Sequence, residues 1–309
     1  MPSKTSSELP ASASLALDEA YLRAATGETS VEDAVAVCEA VRREHGEGWE
    51  VDECLGKLRR LSGDRHEAKV LLLRALDLAP PDCRAVPNAD LGDLLAEEGD
   101  VDGAVARYRA ALAESPNEPT ILVAMGRVLV DSGRGREAIG PLEQALELSK
   151  QYVEAHYLLA RAYYVAQQWN ESAAHARRAA ELAGAYPEAR IVAGSALEKA
   201  GRLQEALAEY AKVSGPPALR AQALAGSAYA CVGAKRYAEG LAYIRKAERI
   251  LPTVGMYWSI EASAHAGLGD REQAAACCRR AYQLGDRVHA AEGLRAIGEW
   301  PLEPNAPGT

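Results

Sequence analysis

Glu261 and His265 are two side chains of this sequence whose spacing is suited to acid–base chemistry. They lie four residues apart, so on a helix they share one face and can touch. A buried carboxylate–imidazole pair can act as an acid–base element, because each group perturbs the proton affinity of the other. The adjacent Cys277 and Cys278 follow in the same region, and we interpret both as small core residues.

Other signatures of catalysis are absent from the sequence. It contains no phosphate-binding GxxxxGK[ST] loop, no GxSxG elbow, no HExxH helix and no EF-hand loop. The six histidines are spread along the chain, and no two of them have metal-binding spacing on one helix. We therefore predict a protein that is not an enzyme and that has no metal and no cofactor.

Composition limits the class of partner. The 309 residues carry a formal net charge of −9, whereas nucleic acids and anionic membranes attract basic surfaces. No apolar run is long enough to span a bilayer, and the first 14 residues lack the apolar core of a signal peptide. Six cysteines without CxxC spacing indicate reduced thiols. We expect a cytoplasmic protein.

A 34-residue period organises the chain from about residue 15 to residue 288. A fixed period of this length indicates stacked supersecondary units rather than one globular core. Six consecutive repeats keep the period without a gap, and a two-residue insertion, Cys83-Arg84, precedes them. The eight repeats that we place are 15–48, 49–82, 85–118, 119–152, 153–186, 187–220, 221–254 and 255–288.

Equivalent positions of the repeats, which we call slots, hold similar residues. Each repeat has one slot for a small residue in its first half and two more in its second half. A small residue in the first slot lets two helices approach closely, and a larger filler residue lies between the later slots. The spacings of four and three place filler and small slots on one helical face. The first slot holds Leu22, Gly56, Gly92, Gly126, Ala160, Gly194, Ala228 and Ala262, and the filler slot holds Cys38, Leu72, Tyr108, Leu142, Ala176, Tyr210, Ile244 and Cys278.

The sequence also indicates where the turn between the two helices of each repeat lies. Glycine ends the first helix in five repeats, whereas Gln167 and Lys235 replace it in two others. The patterns Ser30-x-x-Asp33, Asp64-x-x-Glu67 and Asp270-x-x-Gln273 predict side-chain caps at the start of the second helix.

The whole pattern resembles the tetratricopeptide repeat, W-x2-L-G-x2-Y…A-x3-F…P over 34 residues. The resemblance implies an all-α fold, a right-handed α-solenoid of stacked helix-turn-helix repeats. Residues 289–300 are expected to form a capping helix over the last apolar face. The tails, 1–14 and 301–309, are expected to be disordered.

The resemblance also implies a binding surface, because in this family the first helix of each repeat lines a concave groove. Arg127 and Arg161 hold equivalent places on neighbouring repeats and can together bind a carboxylate of a peptide. Alternatively, both arginines are solvated and the aliphatic residues pack against neighbouring helices. The predicted partner-binding residues are Val123, Arg127, Val130, Tyr157, Arg161, Tyr164, Ile191 and Tyr229. The equivalent slots of the first three repeats hold mainly charged residues of both signs, including Glu53, Lys57, Arg60 and Asp93.

Within the repeat frame, Glu261 and His265 occupy slots that are apolar in other repeats. We favour a degenerate terminal repeat, whose slots are partly exposed or covered by the capping helix, over an acid–base element.

The preferred function is a non-enzymatic scaffold or adaptor that binds a peptide or helix of a protein partner in the concave groove. One alternative is a regulatory sensor domain for a small ligand or a signalling peptide. A third is an enzyme that uses His156, Tyr157, Arg161 and Tyr164, which we do not expect because they include no nucleophile–base pair. We expect no nucleic acid partner and no membrane insertion, and we leave self-association open.

Overall fold

A computed structural model describes residues 9–300, which form α-helices joined by short turns, with no strand among them. The chain divides into two compact bodies, Met1–Lys150 (the N-terminal body) and Gln151–Thr309 (the C-terminal body). The N-terminal body contains α1 (Ala11–Ala25), α2 (Val31–His45), α3 (Trp49–Leu61), α4 (Arg65–Leu78), a 3₁₀ turn (Pro81–Cys83), α5 (Ala85–Glu98), α6 (Val101–Glu114), α7 (Pro119–Asp131) and α8 (Gly135–Leu148). The C-terminal body contains α9 (Val153–Val165), α10 (Trp169–Leu182), α11 (Pro187–Lys199), α12 (Leu203–Ala211), α13 (Pro217–Gly233), α14 (Tyr237–Ile250), α15 (Gly255–Gly267), α16 (Arg271–Gln283) and α17 (Arg287–Ala296).

The helices of each body pack in one repeating pattern. Each odd-numbered helix from α1 to α15 pairs with the helix that follows it. Within a body, each first helix also contacts the first helix of the next pair, as α3 contacts α5 and α13 contacts α15. Seventeen helices among the described residues fit eight pairs and one further helix. The predicted fold class, an all-α solenoid of helix-turn-helix repeats, is confirmed.

A close contact between a glycine and a filler side chain holds several pairs together. A Cβ atom added at Gly194 of α11 would lie 2.6 Å from the Tyr210 ring of α12, and one added at Gly226 of α13 would lie 2.7 Å from it. Tyr210 is thus enclosed between two glycines, and its hydroxyl lies 3.1 Å from the hydroxyl of Ser195. The side chain is 4% exposed, so this contact excludes water from the core.

The turns between paired helices adopt the geometry that the sequence predicts. The five turn glycines have φ between 75° and 84°. Gln167 and Lys235 adopt the same left-handed conformation, with φ of 63° and 60°, although a Cβ atom makes it costly. The three predicted caps are confirmed, since a side-chain oxygen of Ser30, Asp64 and Asp270 accepts the backbone N–H three residues later.

The ends of the helical array differ from the expected boundaries. Helix α1 begins at Ala11, inside the expected tail 1–14, because Pro10 precedes it and Ala13 and Leu17 are buried. Helix α17 runs from Arg287 to Ala296 rather than over 289–300, and Gly298 follows it with φ 81°. Residues 1–8 and the expected tail 301–309 lie outside the described residues.

Each body contains one buried carboxylate that joins three helices. In the N-terminal body, Asp52 of α3 is 1% exposed and accepts hydrogen bonds from Arg42 of α2, at 2.7 Å, and Arg74 of α4. In the C-terminal body, Glu209 of α12 is 2% exposed and bonds with Arg177 of α10 at 2.9 Å and Arg190 of α11 at 2.7 Å. Charge-assisted bonds of this kind fix orientation between the helices that they join.

We expect Gly194→Ala and Gly226→Ala each to destabilise the C-terminal body by about 1–3 kcal/mol, the usual cost of overpacking a core. The new methyl group would force the Tyr210 ring out of its position. The matched control is Gly233→Ala in α13, where an added Cβ meets no atom within 4 Å. The control should be neutral or stabilising by up to about 1 kcal/mol. Urea midpoints followed by circular dichroism check both, and equal midpoints would contradict the packing argument.

Glu209 should make the C-terminal body sensitive to acid. Burial alone would raise the pKa of Glu209, but its bonds with Lys212 and Arg190 and the charge of Arg177 hold that pKa below its ordinary value. Since the folded-state pKa is lowered, this stabilisation is present above about pH 4.3 and is lost as the pH falls through the folded-state pKa.

We expect Glu209→Gln to cost no more than about 3 kcal/mol at neutral pH, because it leaves Arg190 without its carboxylate partner and Arg177 with Glu205 alone. The difference from wild type should shrink in acid, and urea titrations at pH 7 and below pH 4 measure it. The control is Glu181→Gln, which removes the exposed pair with Arg178 (3.6 Å) and should change little. A pH-independent difference would show that Glu209 does not act through its charge.

Candidate partner-binding cavity

A cavity of about 720 Å³ opens on the first helices of the C-terminal body. Residues of α11, α13, α15 and α17 surround it, and α16 contributes to its floor. Its apolar and small lining residues include Tyr229, Val232, Met256, Ile260, Ser263 and Ile297. The cavity is therefore a mainly apolar surface formed by successive first helices, which is where the resemblance places a groove.

Two large apolar side chains of the cavity are exposed. Tyr229 of α13 and Met256 of α15 each have 51% of their surface accessible. Burying these side chains on a partner would release water from their apolar surface, so neighbouring exposed apolar residues mark a candidate interaction site. Methionine also adapts its shape to different contacts.

Acidic groups lie around this apolar centre. Glu198 of α11 and Glu292 of α17 line the cavity. The ammonium group of Lys199 lies 3.3 Å from Glu198 and 5.3 Å from the centre of the Tyr229 ring. Burial works against the charged form of Lys199, yet the charge of Glu198 outweighs it and raises the lysine pKa. A ligand therefore meets carboxylates beside the tyrosine and a lysine that stays charged.

Asp286 attaches α17 to the start of α15. Its carboxylate accepts a hydrogen bond from Ser259 at 2.7 Å and lies 2.8 Å from His289 Nδ1. Burial opposes ionisation, but these two partners lower the pKa of Asp286. A Cβ atom at Gly255 would lie 3.0 Å from the Asp286 backbone nitrogen, so the two elements touch closely. This contact fixes the distal wall of the cavity.

Three of the eight predicted groove residues are buried. Val123 is 1% exposed, Val130 is 4% exposed and Ile191 is 9% exposed. Ile191 packs in a core cluster with Ala173 and Leu197. These side chains have little exposed surface to offer a partner, contrary to the expectation, because the aliphatic slots are used for packing.

Helix α9 carries two of the predicted aromatic groove residues, Tyr157 and Tyr164, together with Arg161. The Arg161 guanidinium lies 5.9 Å from the centre of the Tyr157 ring, and that ring lies 4.9 Å from Tyr186. Burial raises the pKa of Tyr186 to about 12. Tyr164 is half-buried with its ring edge-on to Trp169 at 5.1 Å. Tyr157 and Arg161 thus contact each other, whereas Tyr164 packs against Trp169.

Arg127 lies in the N-terminal body, in a cleft of about 530 Å³ lined by charged groups of α3, α5 and α7. Arg60 lies 3.0 Å from Asp93, and the Tyr108 hydroxyl donates to the same carboxylate at 2.7 Å. Burial is the largest influence on the Arg60 pKa and lowers it, but Asp93 outweighs it, so the pKa is raised. The charged side chains of this cleft already neutralise each other. Arg127 and Arg161 belong to different bodies.

The sequence did not single out Met256, Ile260, Ser263 or Ile297. A signal was available, because Ser259 and Ser263 hold the same slots in the eighth repeat that Ala225 and Tyr229 hold in the seventh. Small residues in those slots leave space beside Tyr229. The repeat frame, extended by one repeat, therefore predicts the cavity wall.

His156 is 8% exposed and its Nδ1 lies 3.0 Å from Nδ1 of His175. The histidine packs between α9 and α10, which removes it from the surface that carries Tyr157 and Arg161. Within the described residues, the helices include none that is both long enough and apolar enough to cross a membrane.

Family models of the tetratricopeptide repeat match residues 95–140, 123–187 and 157–218. A curated relative, tetratricopeptide repeat protein 17 of Danio rerio, is 28% identical over 131 residues, which are 42% of this chain. The chain matches only 11% of that relative's length.

Solved structures with the same fold include a tetratricopeptide repeat protein from Parabacteroides merdae, with a TM-score of 0.53 and 16% identity. That alignment covers 82% of this chain and 99% of the other. MamA from Desulfovibrio magneticus, residues 41 to the end, has a TM-score of 0.50 and 21% identity over 53% of this chain and 92% of its own. At these identities the likeness concerns the fold. Together with the 34-residue period and the paired helices, the family models show that this chain is a tetratricopeptide repeat protein.

We expect the cavity to bind a neutral apolar dye such as Nile red. Ser263→Trp should reduce the bound fluorescence several-fold, because the indole fills space beside Tyr229. Ala242→Trp, an exposed position on α14 outside the cavity, is the control and should leave dye binding unchanged. Unchanged fluorescence in Ser263→Trp with wild-type helicity would show that the dye does not enter the cavity.

Proposed function

We propose that this protein is a non-enzymatic interaction scaffold, and that its C-terminal body binds a helix or extended peptide of a partner protein in the cavity of α11, α13, α15 and α17. The observation that carries the proposal is the exposure of Tyr229 and Met256 inside an apolar concavity. Tetratricopeptide repeat proteins in general bind protein or peptide partners, which agrees with this assignment.

The lining of the cavity defines the chemistry of the partner. Tyr229, Met256 and Ile297 offer contacts to large apolar anchors, such as residues at i and i+4 of an amphipathic helix. Glu198 is already paired with Lys199, so the carboxylate of Glu292 is the one that favours a lysine or arginine beside those anchors. This differs from the acidic peptide that the two arginines suggested from the sequence. We assign the partner an apolar segment with basic flanks.

A small-ligand sensor is the second candidate. A volume of about 720 Å³ falls within the range of about 300–1,000 Å³ that is usual for small-molecule sites. The cavity is open along the first helices rather than enclosed, which favours a peptide chain that lies across it.

A cytoplasmic location stays a prediction from the sequence.

Selection from a peptide library tests the proposal although the partner itself is unidentified. We would select on the full-length wild-type protein and counter-select on Ser263→Trp. Enriched peptides should share apolar positions three or four residues apart and basic flanks. Tyr229→Ala and Met256→Ala should each weaken a selected peptide about tenfold or more, as hot-spot truncations of about 2 kcal/mol do. Glu292→Gln should reduce the dependence of binding on salt.

The matched control is Ala242→Trp, which should bind the peptides as wild type does. Peptides that bind Ser263→Trp equally well, or that carry acidic rather than basic flanks, would contradict the proposed site. Failure to enrich any peptide, combined with a small molecule that raises the melting temperature of wild type but not of Ser263→Trp, would favour the sensor.

A further inference from the structure

Three potential metal ligands converge in the C-terminal body, apart from the apolar cavity lining. Glu261 and His265 lie on α15, and Cys277 lies on α16. Their side chains are 5%, 7% and 6% exposed. A carboxylate oxygen, an imidazole nitrogen and the Cys277 Sγ all lie within 4.8 Å of one another. The three side chains therefore form one buried cluster of oxygen, nitrogen and sulfur donors.

This donor set is one that zinc accepts. Zn²⁺ binds thiolate, imidazole and carboxylate with bonds of about 2.0–2.3 Å, so ligand atoms in a tetrahedral site lie roughly 3.3–3.8 Å apart. His265 Nε2 lies 3.7 Å from Glu261 Oε1, a few tenths of an ångström beyond the roughly 3.3–3.5 Å expected for a nitrogen and an oxygen ligand, so a small side-chain shift would suffice. The donors come from two paired helices, so no large rearrangement is needed to bring them to one ion.

The surroundings of His265 also fit a metal ligand. While Nε2 faces Glu261, Nδ1 lies 3.4 Å from the carboxylate of Asp270. This buried nitrogen makes no well-formed hydrogen bond. In zinc sites the second ring nitrogen of a ligand histidine typically faces a carboxylate, which fixes the tautomer and orients the ring. Asp270 is itself held by capping α16, where it accepts the N–H of Gln273.

Arg245 already neutralises the Glu261 carboxylate, so an ion can bind there only if this arginine moves away. Arg245 of α14 bonds with Glu261 at 2.9 Å and lies 3.4 Å from His265 Nε2. The arginine side chain is 54% exposed, so it can turn into solvent when an ion enters. Glu248 of the same helix places a further carboxyl group beside Glu261. A divalent ion could therefore take the place of the arginine at Glu261.

We propose that Glu261, His265 and Cys277 form a binding site for a divalent transition metal ion, with zinc as the best match, and that Asp270 is its positioning residue. On binding, the Cys277 thiol releases its proton to solvent and the thiolate bonds to the metal. The ion links α15 to α16 in the last helix pair. The inference stands independently of the proposed partner site.

Cobalt titration tests the site with a spectroscopic signature. The full-length protein, free of tags, metal-free and reduced with a phosphine, would be titrated with Co²⁺. We expect one equivalent to produce a thiolate-to-cobalt charge-transfer band and visible d–d bands of tetrahedral type. Zn²⁺ should abolish these bands and should raise the melting temperature of wild type.

Variants separate this site from the other thiols. Cys277→Ser and His265→Gln should lose the cobalt bands, whereas Cys278→Ser, which changes the adjacent cysteine, should keep them. Asp270→Asn retains a good helix cap. It should still bind Co²⁺, but roughly 10- to 100-fold more weakly, because the histidine loses its orienting carboxylate.

The absence of a charge-transfer band in the wild type, or a band that persists in Cys277→Ser, would overturn the proposal. Glu261→Gln provides a near-isosteric second variant in case Cys277→Ser does not fold. It should weaken Co²⁺ binding at least about tenfold, and an unchanged affinity would equally overturn the assignment of Glu261.

Discussion

Four helix pairs of this protein, α3–α4, α5–α6, α7–α8 and α11–α12, share one close contact, between a glycine on the first helix and a large side chain sixteen residues later on the second. A Cβ atom at Gly92 would lie 2.7 Å from Tyr108, and one at Gly126 would lie 2.5 Å from Leu142. Because the glycine has no side chain, the filler residue lies directly against the backbone of the first helix. This sets the spacing within a pair, and repeated pairs then align their first helices. The cavity walls follow from that alignment, since the first helices carry nearly all of its lining.

Much of the fold was predictable because the same contact recurs at a fixed period. The small slots, the filler slots and the helix caps each serve one physical role, and residue type and spacing were enough to identify each of them. Gln167 and Lys235 show that the packing of the repeats outweighs the backbone preference of a single residue. Both adopt the left-handed conformation that glycine adopts in the other turns, since the packed helices on either side determine the path of the chain. The outer limits of α1 and α17 were less predictable, because no neighbouring repeat constrains them.

The candidate site was only partly predictable, because a slot determines the direction of a side chain and not its exposure. Ile191 and Tyr229 were both assigned to the groove, yet Ile191 is 9% exposed and Tyr229 is 51% exposed. The difference comes from the volume of what lies beside them. Ile191 packs in a core cluster with Leu197, whereas the wall facing Tyr229 includes Ser263 and Ala266, which are too small to cover it. Exposure thus depends on combinations of residues in neighbouring repeats, which a single repeat pattern does not contain.

The repeat frame also explains why the cluster around Glu261 escaped a search for ligand spacing on one helix. Ala262 and Cys278 hold the small and filler slots of the last pair, and they belong to one core cluster. Glu261 and Cys277 stand one residue before them and have the same sixteen-residue separation. The contact that joins α15 to α16 therefore brings the carboxylate to the thiol, and the four-residue spacing on α15 adds His265. What looked like a degenerate repeat is a place where polar residues occupy positions that the frame forces together. In a solenoid, a search for metal ligands should therefore include residues sixteen positions apart, which the pairing of helices brings together, as well as residues three or four positions apart on one helix.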